Sequence, residues 1–107
     1  MYAALATKLS VVNSVDQFSP AVPMDCANAV QLEVTIFNLT ATSLTVEIQG
    51  SNDMQNWSVV TTNTGLVVGY SAPTKSTGVG FRYVRLRYSI VGTGLAIVAA
   101  GVNTSAQ

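Results

Sequence analysis

One segment, Leu44–Trp57 (LTVEIQGSNDMQNW), constrains the fold more than any other part of the chain. In its first half, apolar and polar residues alternate, which is the period of a strand with one buried face. Residues 50–53 (GSND) follow. These residue types form turns because glycine accepts unusual backbone angles and short polar side chains bond to nearby backbone groups. Trp57 then resumes the apolar pattern. The segment therefore predicts a strand, a polar turn and an aromatic anchor for the next strand.

The same alternation recurs along the chain and indicates further strands. Val30–Asn38 and Phe81–Ile90 are strongly alternating. Val30–Asn38 is predicted to form a hairpin with residues 44–49 through a loop of about five residues. Leu95–Val102 is apolar on both faces, so it is predicted either to be central in the sandwich, covered on both sides, or to contact another subunit through its outer face. The weaker predictions are short strands at Lys8–Asn13, 59–62 and 66–70, a turn at 63–65, a loop at 71–80 and a flexible arm at 1–7.

Residues 16–26 contain Pro20 and Pro23. Because proline cannot donate a backbone hydrogen bond, this stretch is predicted to be a loop or an interrupted edge strand. The whole pattern then contains seven or eight short strands, with turn signals about every 8–12 residues. It predicts a single antiparallel β-sandwich over residues 1–107, all-β and jelly-roll-like, without a substantial helix.

Charged residues are scarce in this sequence. Of 107 residues, five are Lys or Arg and five are Asp or Glu, so the formal net charge is zero. A typical domain has about 25% charged residues. Because charged residues are depleted where subunits meet, the composition predicts a surface covered by copies of the chain or by a larger protein shell. The alternative is a monomer whose surface consists of Thr, Ser, Asn and Gln.

The residue types that most often carry catalysis or hold metals are rare. The chain has no histidine and a single cysteine, Cys26. This excludes Ser–His and Cys–His nucleophiles, an internal disulfide and a zinc site, and Cys26 is predicted to be a small buried hydrophobe. Glu33 and Glu47 are expected on the outer faces of adjacent strands. There they would pair with Arg85 and Arg87 rather than hydrolyse a glycosidic bond. We predict no enzymatic activity, no cofactor and no metal site.

Nucleic acid and membrane are disfavoured as partners. Arg82, Arg85 and Arg87 stand among aromatic residues, a pattern that can bind single-stranded nucleic acid. The zero net charge predicts against such binding. The uncharged segment 88–107 is interrupted by glycines and polar residues, so no transmembrane helix is predicted. Residues 1–10 lack the basic start of a signal peptide, which favours a particle assembled in the cytoplasm over an extracellular location.

Two pieces of the chain, VEIQGSNDMQNW ending at Trp57 and FRYVRL starting at Phe81, resemble the paired signature of discoidin-like (F5/8 type C-like) β-sandwiches. The same pair is similar to small β-sandwich proteins of tailed phages and related particles, which serve in head decoration, fibres or baseplates. The resemblance implies that Trp57 packs under the sheet and that Asp53 fixes the turn. It also implies that Arg82 or Arg85 braces the strand pair.

These observations favour a non-enzymatic structural subunit. It would assemble with itself or decorate a larger particle, a phage-like capsid or tail, and would therefore reside in the virion. The alternative is a carbohydrate- or surface-binding β-sandwich module with a glycan as its partner. The candidate ligand or interface residues are Asn52, Asn56, Trp57, Tyr70, Arg85 and Arg87.

Overall fold

Nine β-strands make up the computed structural model, which describes residues 2–12 and 16–106. No helix occurs among these described residues, so none of them forms a helical membrane span. The strands are β1 (Tyr2–Val12), β2 (Gln17–Phe18), β3 (Val22–Pro23), β4 (Ala29–Leu39), β5 (Ser43–Ser51), β6 (Ser58–Leu66), β7 (Gly69–Ser71), β8 (Tyr83–Val91) and β9 (Leu95–Ser105).

The strands form two antiparallel sheets. The first sheet has the strand order β1-β9-β4-β7, and the second has the order β2-β8-β5-β6, with β3 also paired to β8. The prediction of an all-β sandwich is confirmed. The predicted interrupted edge strand is also present, because β2 and β3 both pair with β8 and are separated by Pro20. The Ser19 hydroxyl helps to bridge the gap by accepting a 2.7 Å hydrogen bond from the Leu86 N–H.

The hydrophobic core lies between the two sheets and is built by the alternating residues. Fully burying one large aliphatic side chain stabilises the fold by about 1.5–3 kcal/mol relative to leaving it exposed. The second sheet contributes Leu44, Val46 and Ile48 of β5 and Val84, Leu86 and Tyr88 of β8. The first sheet contributes Leu32, Val34 and Ile36 of β4 and Ala96, Val98, Ala100 and Val102 of β9.

The strand β9 is central in the first sheet, between β1 and β4. These neighbours cover the two edges of β9, and the second sheet covers its inner face. Its outward residues Leu95, Ile97 and Ala99 are half-buried. Burial within the sandwich therefore accounts for the apolar inner face of β9, and contact of its outer face with another subunit stays a prediction.

The predicted hairpin between β4 and β5 is wrong. β4 pairs with β9 and β7 in the first sheet, and β5 pairs with β6 and β8 in the second. Residues 40–42 cross between the sheets beside the β8–β9 turn, where Thr40 Oγ1 accepts a 2.9 Å hydrogen bond from the Leu95 N–H. Gly94 permits this approach: it has a φ of +141°, and a Cβ there would lie 2.8 Å from the Ala41 nitrogen. Alternation shows which residues are buried, but it does not show which sheet a strand joins.

Three other boundaries differ from the sequence predictions. Residues 2–7, predicted as part of a flexible arm, belong to β1 and pair with β9; Met1 and residues 13–15 lie outside the described residues. The predicted turn at 63–65 lies within β6, and the next strand is limited to 69–71. At β1 and at β6, the neighbouring strand (β9 and β5, respectively) provides backbone hydrogen-bond partners. This pairing overrides the weak local signals of the sequence.

Candidate functional site

Five of the six candidate residues lie on the second sheet. Asn52 and Asn56 are in the turn between β5 and β6, Trp57 follows that turn, and Arg85 and Arg87 are on β8. Tyr70 is on β7 of the first sheet, so it does not belong to this group. The candidate site therefore lies on the outer face of the second sheet.

Arg85 is held between two aromatic rings on this outer face. Its guanidinium carbon lies 4.2 Å from the Trp57 ring centroid and 4.4 Å from the Phe18 ring centroid. We call these three residues the Arg85 stack. The Arg85 Nε donates a 2.8 Å hydrogen bond to Gln49 Oε1 on the neighbouring strand, and burial lowers the pKa of Arg85. A cation–π contact contributes about 0.5–2 kcal/mol depending on its desolvation, so the stack stabilises the outer face.

Arg87 forms ion pairs two positions further along β8. It contacts the Asp16 carboxylate through Nη2, and its Nε lies 3.0 Å from Asp16 Oδ2. Its Nη1 lies 3.5 Å from Glu47 Oε2. The hydrogen bond to Asp16 raises the pKa of Arg87. All three side chains are partly exposed, and exposed pairs contribute only about 0–1 kcal/mol. These contacts orient Asp16, directly before β2, more than they stabilise the domain.

The predicted pairing of the two glutamates is only half correct. Glu47 does contact Arg87. Glu33 lies on the other sheet, where its Oε1 accepts a 2.6 Å hydrogen bond from the Tyr70 hydroxyl. The expectation that Glu33 and Glu47 occupy adjacent strands is therefore wrong, because it depended on the hairpin between β4 and β5.

Asp53 organises the turn between β5 and β6. Its Oδ1 accepts 2.9 Å hydrogen bonds from the backbone N–H groups of Gln55 and Asn56, and its Oδ2 accepts one of 2.8 Å from Asn56 Nδ2. The two backbone bonds, first that of Asn56, hold the pKa of Asp53 well below its usual range. The Ser51 hydroxyl accepts a further bond of 2.8 Å from the Met54 N–H. The predicted role of Asp53 in fixing the turn is confirmed.

The two candidate asparagines are also engaged in this turn. Asn56 is bonded to Asp53. Asn52 Oδ1 accepts a 3.1 Å hydrogen bond from the backbone N–H of Arg82, which ties the turn to the segment before β8. Their polar atoms therefore hold the end of the second sheet together. This arrangement favours a structural role over a ligand-binding role.

The position of Trp57 differs from the resemblance-based expectation. Trp57 does not pack under the sheet but lies half-buried against Arg85 on the outer face. At this end of the second sheet the aromatic residue that packs inward is Phe81, which lies on Gly50. A Cβ at Gly50 would lie 2.9 Å from the Phe81 Cβ and closer still to the ring. Gly50 continues the inward series of β5, and the absence of a side chain there leaves the space that the Phe81 ring fills.

Two further features were not foreseen from the sequence. Phe18 completes the Arg85 stack from β2, a strand of only two residues that has no periodicity to detect. Cys26 is exposed, not buried, and lies in the turn between β3 and β4 with a φ of 67°. A cleft of about 460 Å³ beside it is lined by residues 23–27 and 79–83 and contains none of the six candidates. Within 2–12 and 16–106, no three His, Cys, Asp or Glu side chains come together as metal ligands do.

Comparison with known proteins identifies the fold through solved structures alone. No family model and no curated protein sequence matches the chain. The PBSX exported protein XepA is similar in structure, with a TM-score of 0.77 at 13% identity, over 100% of this chain and 37% of XepA. The SPBc2 prophage-derived protein YomS has a TM-score of 0.56 at 7% identity, over 98% of this chain and 96% of YomS. PirA has a TM-score of 0.56 at 12% identity, over 94% and 93%.

These similarities concern the fold. The chain spans little more than a third of XepA but nearly all of YomS and of PirA. The same two-sheet architecture therefore occurs both as part of a larger protein and as almost an entire chain. At such low identity, structural likeness does not transfer a function.

Proposed function

We propose that this protein is a non-enzymatic structural subunit that assembles with itself or decorates a larger particle, such as a phage capsid or tail. The observation that carries this proposal is the contrast between its exposed apolar residues and its scarce charges. Among the residues that the structure describes, nine large hydrophobic side chains are 37–63% exposed, and four of them lie together in the uncharged segment 58–71 of a chain with five acidic and five basic residues. Large apolar patches on a protein surface mark contacts with other molecules.

The polar residues support the same proposal. Arg85, Arg87 and Asp53 are bonded to other side chains or to the backbone of this chain. The carboxylates Glu33 and Glu47 lie on different sheets, so they do not form the close pair that glycoside hydrolysis requires. These three charged side chains thus hold strands and turns of this chain in place.

The context of a phage-like particle rests on the similar structures. YomS is described as prophage-derived, and XepA as an exported protein of PBSX. A virion-associated or exported location is compatible with both. Because this chain covers only 37% of XepA, only the shared fold is carried over here.

Size-exclusion chromatography with light scattering, together with electron microscopy of particles from the native source, tests this proposal. We expect an oligomer, or a monomer that co-purifies with particles and occupies regular positions on them. A chain that stays monomeric at its highest soluble concentration and shows no affinity for any particle would contradict the proposal.

A carbohydrate- or surface-binding module is the second candidate, and the Arg85 stack is the observation that favours it. Phe18 is 50% exposed beside Arg85 and Trp57, and sugars bind to exposed aromatic rings flanked by hydrogen-bonding groups. A glycan array combined with Trp57 fluorescence tests this alternative. Binding that shifts the fluorescence and is lost in Phe18→Ala would support it. An unchanged spectrum with every glycan would exclude it.

A further inference from the structure

The segment 58–71 forms one long side of the sandwich. β6 is the edge strand of the second sheet, β7 is the edge strand of the first, and Val67 and Val68 connect them. At the opposite side, β1 of the first sheet approaches the second sheet, where residues 5–9 line a cleft together with residues 18–20 and Tyr88. We call the first of these the bare side and the second the closed side.

The bare side contains no charged residue. Its sequence, SVVTTNTGLVVGYS, lies between the nearest charges at Asp53 and Lys75. Four of its large side chains are strongly exposed: Val59 by 57%, Val67 by 56%, Val68 by 60% and Tyr70 by 63%. These residues are rich in β-branched types, which favour strands. The segment thus combines exposed apolar surface with a strand that has a neighbour on one side only.

An unprotected edge strand offers its backbone groups to another strand, and proteins usually block such edges with charge, proline or bulges. The pairing of β6 with β5 contains two register shifts, which leave Thr61–Asn63 as the regular run between them. Of these three ways to block an edge, β6 has bulges but neither a charged residue nor a proline. The short regular run, centred on Thr62, can still pair with an extended strand.

The bare side matches a second copy of the same chain. An uncharged strand meets its own copy without placing like charges opposite each other, which would be destabilising. The sandwich measures 38 × 26 × 20 Å, and the longest dimension agrees with eleven-residue strands at about 3.3 Å per residue. At nine residues, β6 spans about 30 Å, so with the shortest dimension of 20 Å this side offers roughly 600 Å² to a partner, the lower end of what each partner buries in a specific interface.

We propose that two copies of this chain pair through their bare sides, with β6 running antiparallel to β6 of the partner about a two-fold axis at Thr62. The exposed side chains of Val59, Val67 and Val68 pack around this contact. A head-to-tail arrangement is disfavoured because the other sheet edges are interrupted by Pro20 and Pro23 or carry Lys8. The inference rests on the proposed assembly function and specifies the surface that the assembly uses.

Two lysine variants test this contact. Thr62→Lys and Val68→Lys each place a charge on an exposed position of the bare side, and the two-fold axis doubles every substitution. We expect each variant to weaken dimerisation by about tenfold or more in Kd, as measured by sedimentation at several concentrations. Ser10→Lys on β1, also exposed, is the matched control and leaves the Kd unchanged. Unfolding curves under dilute conditions show whether each variant is folded.

A cysteine variant tests the register. Facing residues of antiparallel strands have Cα atoms about 4.5–5.5 Å apart, within the range that a disulfide bridges. Thr62→Cys in a Cys26→Ser background is therefore expected to form a covalent dimer on mild oxidation. Ser10→Cys in the same background is expected to remain monomeric on denaturing gels. A reversible dimer that does not cross-link at position 62 would overturn the proposed axis.

The outcomes separate this inference from the proposed function. An oligomer that is insensitive to both lysine variants would overturn the bare-side contact and leave the assembly role standing. A monomer that nevertheless binds particles would also overturn the contact while supporting decoration. A monomer that binds no particle would contradict both.

Discussion

The two long sides of the sandwich expose strand edges of different character. On the closed side, β2 and β3 are short and flank Pro20, while β1 carries Lys8 and two register shifts in its pairing with β9. On the bare side, β6 continues for nine residues without charge or proline. Both sides have bulges, so charge and proline make the difference. Since these are the devices that prevent strands from pairing with foreign edges, the protein blocks one side and leaves the other available.

The comparison also shows where the polar residues of a charge-poor chain are used. The contacts of Asp16 with Arg87 lie next to β2 at the closed side. Asp53 holds the turn that leads into β6, but no charge follows it until Lys75. The few charged residues are therefore unevenly distributed over the surface. The uncharged segment 58–71 is where the apolar side chains are most exposed, and the nearest carboxylate to it on the first sheet, that of Glu33, is bound by the Tyr70 hydroxyl.

The largest expected difference between the two sides concerns a pair of tyrosines. Tyr88 is fully buried and lines the cleft of the closed side, whereas Tyr70 is 63% exposed on the bare side. We expect Tyr88→Ala to lower the free energy of unfolding by about 3–5 kcal/mol, because a large buried side chain leaves a cavity. Tyr70→Ala should cost less than about 1 kcal/mol. Urea unfolding of dilute protein measures both, and equal losses would contradict the comparison.

A smaller effect is expected from the Tyr88 hydroxyl. It is buried without a hydrogen-bond partner, and such a group costs about 1–3 kcal/mol. Tyr88→Phe should therefore raise the free energy of unfolding by about 1 kcal/mol, while Tyr70→Phe, the matched control, should not raise it.

The same hydroxyl has a pH dependence with a defined sign. Burial raises the pKa of Tyr88 above its ordinary value of 10.0. The folded state therefore retains this proton more strongly than the unfolded state, and its contribution to stability is lost as the pH rises above about 10. Tyr88→Phe should lose less stability than the wild type in this alkaline range. Parallel pH profiles for the two proteins would contradict the prediction.

Two substitutions at residues with a left-handed backbone should change the free energy of unfolding by about 1 kcal/mol in opposite directions. Cys26, after β3 on the closed side, has a φ of 67°, and Gly65 in β6 has a φ of 70°. A left-handed backbone costs a residue with a Cβ about 1–2 kcal/mol. Cys26→Gly should therefore stabilise the fold by about 0.5–1 kcal/mol, and Gly65→Ala should destabilise it by about 1 kcal/mol. Thermal or urea unfolding of both variants checks the signs.

The smallest effect is expected at the turn that leads onto the bare side. Backbone hydrogen bonds hold the pKa of Asp53 below its usual value of 3.8. Its contribution to stability is therefore present above that pH and is lost as the pH falls through the lowered pKa of the folded state. Asp53→Asn should make stability less dependent on pH below about 4. An unchanged slope in acid unfolding experiments would contradict this role.

The candidate site was predictable where the contacts are local in sequence or follow from alternation. The turn around Asp53 closes within three residues, and the pairing of Glu47 with Arg87 follows from their outward positions on β5 and β8. Phe18 was not predictable, because its place beside Arg85 depends on β2 joining the edge of β8. The inner position of Phe81 against Gly50 depends in the same way on a contact between distant segments.

Local patterns in the amino-acid sequence were enough to place most strands, their buried faces and the turn after β5, because these depend on side-chain period and on residues a few positions apart. The choice of neighbours was made by the tertiary structure. β4 pairs with β9, and Val34 lies opposite Ala100, although β5 follows β4 directly in the chain. Two apolar faces can pack together whatever their separation along the sequence. Only the complete arrangement of both sheets therefore decides which edges are covered and which remain open.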